Sequence, residues 1–90
     1  MEAFRARINI RLKPGILDPQ GKAVEHALQT LGFEAIQEVH SGKFFELKIQ
    51  AKNKQEAEQI ARKSCEKLLA NPVIEHFTVE IEPNKRNGNP

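Results

Sequence analysis

Ninety residues, 39% of them hydrophobic and 29% charged, make one small globular domain, too short to divide into two cores. Fourteen basic against twelve acidic residues give a formal charge of +2, too little to imply nucleic acid or an anionic membrane as partner, and no apolar run approaches the ~18 residues of a membrane span. The single cysteine, Cys65, forms no internal disulfide, so a reducing cytoplasm is the expected setting.

The chain opens on an alternation of Phe4, Ala6, Ile8, Ile10 and Leu12 with Arg5, Arg7, Asn9, Arg11 and Lys13. Period two over this length predicts a strand with one buried face, and a signal peptide is not expected from such a start. Pro14-Gly15 ends the strand. Asp18 is a good helix N-cap, because its carboxylate accepts from otherwise unpaired first-turn amides, and Pro19 follows where a missing N–H costs nothing. Val24, Ala27, Leu28 and Leu31 then recur at helical spacing, and Gly32 closes this amphipathic helix.

Phe33, Ala35, Ile36 and Val39 suggest a weaker second strand, turning at Ser41-Gly42 into a third. The third is clear: Phe45, Leu47, Ile49 and Ala51 alternate with Phe44, Glu46, Lys48 and Gln50. Asn53 with Glu56 three positions on makes an Asn-headed capping box. Ala57, Ile60, Ala61, Ser64, Cys65 and Leu68 line one face of the second helix, stopped by Asn71-Pro72. Phe77, Val79 and Ile81 alternate with Thr78, Glu80 and Glu82 as a fourth strand ending at Pro83. Residues 1–83 therefore form the domain, and the polar stretch 84–90 is expected to be a disordered tail.

The order β-α-β-β-α-β predicts a ferredoxin-like α+β sandwich, a four-stranded antiparallel sheet with both helices on one face. The first strand is then central, flanked by the third and fourth. Arg5, Arg7 and Arg11 lie beside Glu46 on one side and Glu80 and Glu82 on the other, pairs worth roughly 0.2–1 kcal/mol each. The open face is polar and charge-paired, not a basic patch.

Catalytic chemistry is hard to place on these residues. His26, His40 and His76 are scattered, and one cysteine builds neither a zinc knuckle nor an iron–sulfur cluster. Cys65, far along the second helix and beside its apolar stripe, reads as a packing residue. No phosphate-binding glycine loop or nucleophile elbow occurs. Lys13-Pro14-Gly15 and Gly42-Lys43 are basic pairs within reach of a phosphate, although a turn with a solvated lysine is the plainer reading. An RNA-recognition domain shares the element order but stacks bases on outward aromatics. Here the first strand shows Asn9, the third only Phe44, and Glu80 and Glu82 repel phosphate. Phe44 is either an ordinary exposed apolar residue or a contact between two subunits' sheets, and open sheet edges favour a homodimer.

Three stretches carry a more specific likeness. They are Lys13-Pro14-Gly15-Ile16-Leu17-Asp18-Pro19-Gln20-Gly21, Gly42-Lys43-Phe44-Phe45-Glu46-Leu47, and Leu68-Leu69-Ala70-Asn71-Pro72-Val73-Ile74-Glu75. In this order, with the strand Phe77 to Glu82, the chain resembles the PurS family from about Phe4 to Glu82. These are the small third subunits of bacterial and archaeal phosphoribosylformylglycinamidine synthase.

The resemblance implies a role in purine synthesis without catalytic residues. In that family a glutaminase subunit releases ammonia, and a larger ATP-dependent subunit uses it to make the amidine. The small subunit holds the two together as a dimer, with a tetramer as the further possibility. ATP, magnesium and glutamine are used by the complex, and this chain is expected to bind no cofactor or metal itself. Candidate partner contacts are Lys13, Pro14, Gly15, Asp18, Pro19, Gln20, Gly21, Gly42, Lys43, Phe44, Asn71 and Pro72, in loops whose rigidity limits the entropy lost on docking. A small-molecule-binding regulatory dimer of the same sandwich type is the alternative.

Overall fold

The computed structural model describes residues 1–84. Strand β1 (Glu2–Leu12) leads to helix α1 (Pro19–Thr30), then strand β2 (Gly42–Ala51), helix α2 (Lys54–Ser64) and strand β3 (Glu75–Pro83). Among the described residues the sheet has three strands in the order β2-β1-β3, with β1 antiparallel to both neighbours. The alternation of β1 is realised: Phe4, Ala6, Ile8 and Ile10 are buried on one face, with the arginines on the other.

The expected second strand is absent, which corrects the four-stranded sheet to three strands. Residues 33–41 run in irregular conformation, and β2 starts at Gly42 without a hairpin. The reason is visible in their pattern. Phe33 and Ala35 share one parity, Ile36 breaks it, and Glu34, Gln37 and Glu38 fit a pleated surface poorly. The segment bonds locally instead, with Ile36 N–H donating to Phe33 O and Gln29 Nε2 to Ile36 O.

Among the described residues only α2 covers the sheet, packing against all three strands, so the expectation of both helices on one face is also corrected. Ala57, Ala61 and Cys65 recur every four residues on its buried side and meet Phe4, Ala6, Ile8, Ile10, Ile49 and Ala51. Small residues on the helix let it lie close to the strand. Asn53 Oδ1 accepts from Glu56 N–H at 2.8 Å, and Glu56 Oε1 accepts from Lys52 N–H at 2.6 Å, a capping box displaced by one residue. The last turn, Cys65–Leu69, widens to a π-helix, with Ala70 N–H donating to Cys65 O. Burial pushes the Cys65 thiol pKa up, which fits a packing residue.

Helix α1 is well formed at both ends. Asp18 caps its start, with Pro19 at the first position. At its end Gly32 has φ +102°, Gly32 N–H donates to Gln29 O and Phe33 N–H to Leu28 O, a Schellman closure. Yet α1 makes no packing comparable to that of α2. Val24, Leu31 and the following Phe33 are exposed, Leu31 by 72%. The radius of gyration is 16.9 Å, against about 12 Å for a compact domain of this length.

Asn84 is tied to the first strand, its N–H donating to Ala3 O and its Oδ1 accepting from Arg5. The rest of the expected tail, 85–90, lies outside the described residues. Among the described residues no helix is long and apolar enough to cross a membrane.

Candidate functional site

The candidate residues come from three distant stretches, and the fold gathers them at one end of the sheet. That end holds the C-terminus of β1 and the N-termini of β2 and β3. Lys13 N–H donates to Ile74 O at 2.8 Å, and Lys13 Nζ donates to Pro72 O at 2.8 Å, joining the first loop to the third. Lys43 Nζ donates to Leu69 O at 3.3 Å and lies 3.4 Å from Glu75 Oε2, joining the second to the third.

Each loop is locally closed. Ile16 N–H donates to Lys13 O at 3.2 Å around Pro14 and Gly15, and Gly15 has φ +86°. Proline followed by a residue of positive φ is what a type II turn requires. In the third loop Asn71 O accepts from Ile74 and Glu75 N–H, Asn71 Oδ1 accepts from Val73 N–H, and Glu75 Oε1 accepts from Asn71 N–H. Glu75 thus serves the loop with one oxygen and Lys43 with the other, its side chain only 12% exposed.

Asp18 does more than cap a helix. Its Oδ1 accepts from Gly21 N–H at 2.9 Å and from the Ser41 hydroxyl at 2.7 Å, and its Oδ2 accepts from Ser41 N–H at 2.8 Å. The bond from Ser41 N–H, then that from Gly21 N–H, then the hydroxyl, hold the carboxyl down to about 2 from an ordinary 3.8. Gly21 is buried against this clasp, where a Cβ would meet Asp18 Oδ2 at 2.5 Å and Val39 O at 2.7 Å. Pro19, Gln20, Gly42 and Lys43 share a hollow with Asp18 beside it.

Phe44 stands apart from the loops, 56% exposed on the open face and opposite Asn9. Behind it the charge pairing differs in detail from expectation. Glu46 bridges Arg5 and Arg7, both at 3.2 Å, while Glu82 reaches diagonally to Arg7. Sequence reasoning overlooked Ser41 and Glu75 as members of the site. Ser41 follows Asp18 by 23 positions with no local signal, whereas Glu75 ends the stretch Leu68–Glu75.

His26, His40 and His76 are all exposed, and among the described residues no group of three or more His, Cys, Asp or Glu is placed to hold a metal. What this end offers chemically is rigid loop surface with basic side chains.

Comparison with known proteins agrees with the likeness carried by the three stretches. Residues 5–83 match the family model PurS, phosphoribosylformylglycinamidine (FGAM) synthase. The PurS subunit of phosphoribosylformylglycinamidine synthase from Bacillus subtilis is 40% identical over 79 residues, covering 88% of this chain and 93% of that protein. The crystal structure of Methanocaldococcus jannaschii PurS, one of the subunits of formylglycinamide ribonucleotide amidotransferase in the purine biosynthetic pathway, superposes with a TM-score of 0.83 at 34% identity. It covers 91% of this chain and 99% of that one. A chain of the Thermotoga maritima PurLQS structure gives a TM-score of 0.84 at 32% identity, covering 91% and 100%. The chain belongs to the PurS family, the subunits of phosphoribosylformylglycinamidine synthase in purine biosynthesis.

Proposed function

We propose that this chain is a non-catalytic assembly subunit, working as a homodimer that joins a glutaminase subunit to an ATP-dependent synthase subunit and supports ammonia transfer between them. The observation that carries this reading is helix α1, an amphipathic helix whose apolar side lies open. An amphipathic helix must bury its stripe against another layer, and here its own sheet does not supply one. A second copy is the occupant of that face. Phe45, Leu47, Phe77, Val79 and Ile81 are only partly buried on the core side of β2 and β3, so each protomer offers apolar sheet surface for the other's α1. The thin molecule, 15 Å along its shortest axis, becomes two layers deep by pairing.

The loop-built end, from Lys13–Gly21 through Gly42-Lys43 to Asn71-Pro72, is the surface assigned to the larger subunits. The likeness to a chain of the Thermotoga maritima PurLQS structure supports that reading, since PurS stands there together with PurL and PurQ. ATP, magnesium and glutamine belong to those partners, and the setting is a cytoplasm in which Cys65 stays reduced.

Reconstitution tests the function directly. The purified chain, mixed with the glutaminase and synthase subunits, is expected to co-elute with them in the presence of glutamine and nucleotide. Glutamine-dependent amidine synthesis that proceeds unchanged when this chain is omitted would overturn the reading.

A further inference from the structure

The three arginines on the open face of β1 are not equivalent. Arg5 and Arg7 are held by Glu46 and Glu82. Arg11 has no carboxylate partner among the described residues, and its cross-strand neighbours are Gly42 and His76. It lines a hollow of about 350 Å³ together with Lys13, His40, Ser41 and His76. Those side chains arrive from β1, the loop after it, the irregular run before β2, and β3, so four separate parts of the chain converge on one space.

The carboxylates nearby are Asp18 in the hollow itself, Glu25 and Glu38 in the adjoining one, with Glu25 3.8 Å from Lys22, and Glu75, which is paired with Lys43. Asp18 lines the hollow, but hydrogen bonds from Gly21 and Ser41 occupy both its oxygens. Glu38 Oε1 stands 3.5 Å from His40 Nε2 on a side chain that is 80% exposed. Lys13 gives one donor to Pro72 O and keeps two more. The hollow therefore carries more positive charge than its own carboxylates neutralise.

We propose that this hollow binds a phosphate monoester, the 5′-phosphate of a ribonucleotide or sugar phosphate, with Arg11 as its anchor. A guanidinium forks onto two phosphate oxygens, the remaining charge is met by the Lys13 ammonium, and the third oxygen accepts hydrogen bonds from the His40 and His76 rings. A phosphate monoester carries about −1.5 to −2 at neutral pH, which suits several donors arriving from different sides. A simple carboxylate uses only the arginine. The space also exceeds a phosphate group and continues, past Arg11 and His40, into a second hollow lined by Asn9 and the exposed Phe44. The sugar lies there. This goes beyond assembly and does not depend on it.

The test uses the full chain alone, titrated with inorganic phosphate and with ribose 5-phosphate at constant ionic strength. The histidine ring resonances are followed by NMR. Saturable shifts at His40 and His76 are expected, tighter for the sugar phosphate. Arg11→Gln should weaken both by about tenfold or more, the effect of one charged hydrogen-bonding partner. Arg5→Gln, on the same face but ion-paired, should bind as the parent does. Circular dichroism verifies that each variant is folded, and His76→Gln provides a second lesion with the same expected direction. Shifts that fail to saturate, that chloride reproduces, or that survive Arg11→Gln overturn the proposal. So does saturation by a glutamate-rich peptide with none by phosphate.

Discussion

Asp18 and Ser41 stand 23 positions apart and are joined twice, backbone N–H to Oδ2 at 2.8 Å and hydroxyl to Oδ1 at 2.7 Å. This clasp ties the start of α1 to the entry of β2, and so closes the long connection between two neighbouring strands. Because all three bonds go to the ionised carboxylate, its pKa lies at about 2 in the folded chain. A depressed carboxyl contributes stability that is complete above its ordinary value of 3.8 and is lost as pH falls through about 2. Asp18→Asn puts an amide donor against a backbone donor. The variant should melt below the parent at pH 7, with the difference in Tm shrinking between pH 4 and 2. A difference that is constant with pH would show that the charge is immaterial.

Gly21 reverses an ordinary expectation. Replacing an exposed helical glycine with alanine usually stabilises by about 0.5–1 kcal/mol. Here the new methyl meets the Val39 carbonyl and the Asp18 carboxylate. Gly21→Ala is expected to destabilise by about 1–3 kcal/mol, the range for overpacking. Urea denaturation at pH 7 checks the sign.

Glu75 separates two contributions at the loop-built end. Glu75→Ala strands the Asn71 N–H and frees Lys43, and should cost about 1–3 kcal/mol. Glu75→Gln keeps the acceptor for Asn71 and loses only the charge toward the half-exposed Lys43, so its cost should be under 1 kcal/mol. Equal losses in the two variants would assign the effect to the ion pair.

Much of this architecture was legible in the residues, for physical reasons that also mark the limits. The alternation in β1 and β2 and the repeat of Ala57, Ala61 and Cys65 report directly which side is buried. They led to β1 between its two neighbours and to arginines facing glutamates. Phe33 to Val39 misled because four apolar residues in a polar run satisfy a strand template loosely, and the parity break at Ile36 was decisive. The apolar stripe of α1 was legible as a stripe, but periodicity does not say which layer covers it. The meeting of Lys13 with Pro72 spans 59 positions and depends on where β3 docks, so no local pattern foretells it.

That stripe yields the last prediction. Val24 is 42% and Leu31 72% exposed in the single chain, so a charge at either position removes little packing within a protomer. If a second copy covers α1, the same change places a charge in a buried interface. Burial of such a side chain is worth about 1.5–3 kcal/mol, so Leu31→Glu should weaken self-association by roughly 10–100-fold while far-UV circular dichroism stays unchanged. Sedimentation equilibrium of parent and variant measures both states. Glu58→Gln on α2, which removes only a surface i,i+4 pair with Arg62, serves as a control and should associate normally. A parent that sediments as a monomer, or a Leu31→Glu variant that dimerises as tightly, would remove α1 from the interface.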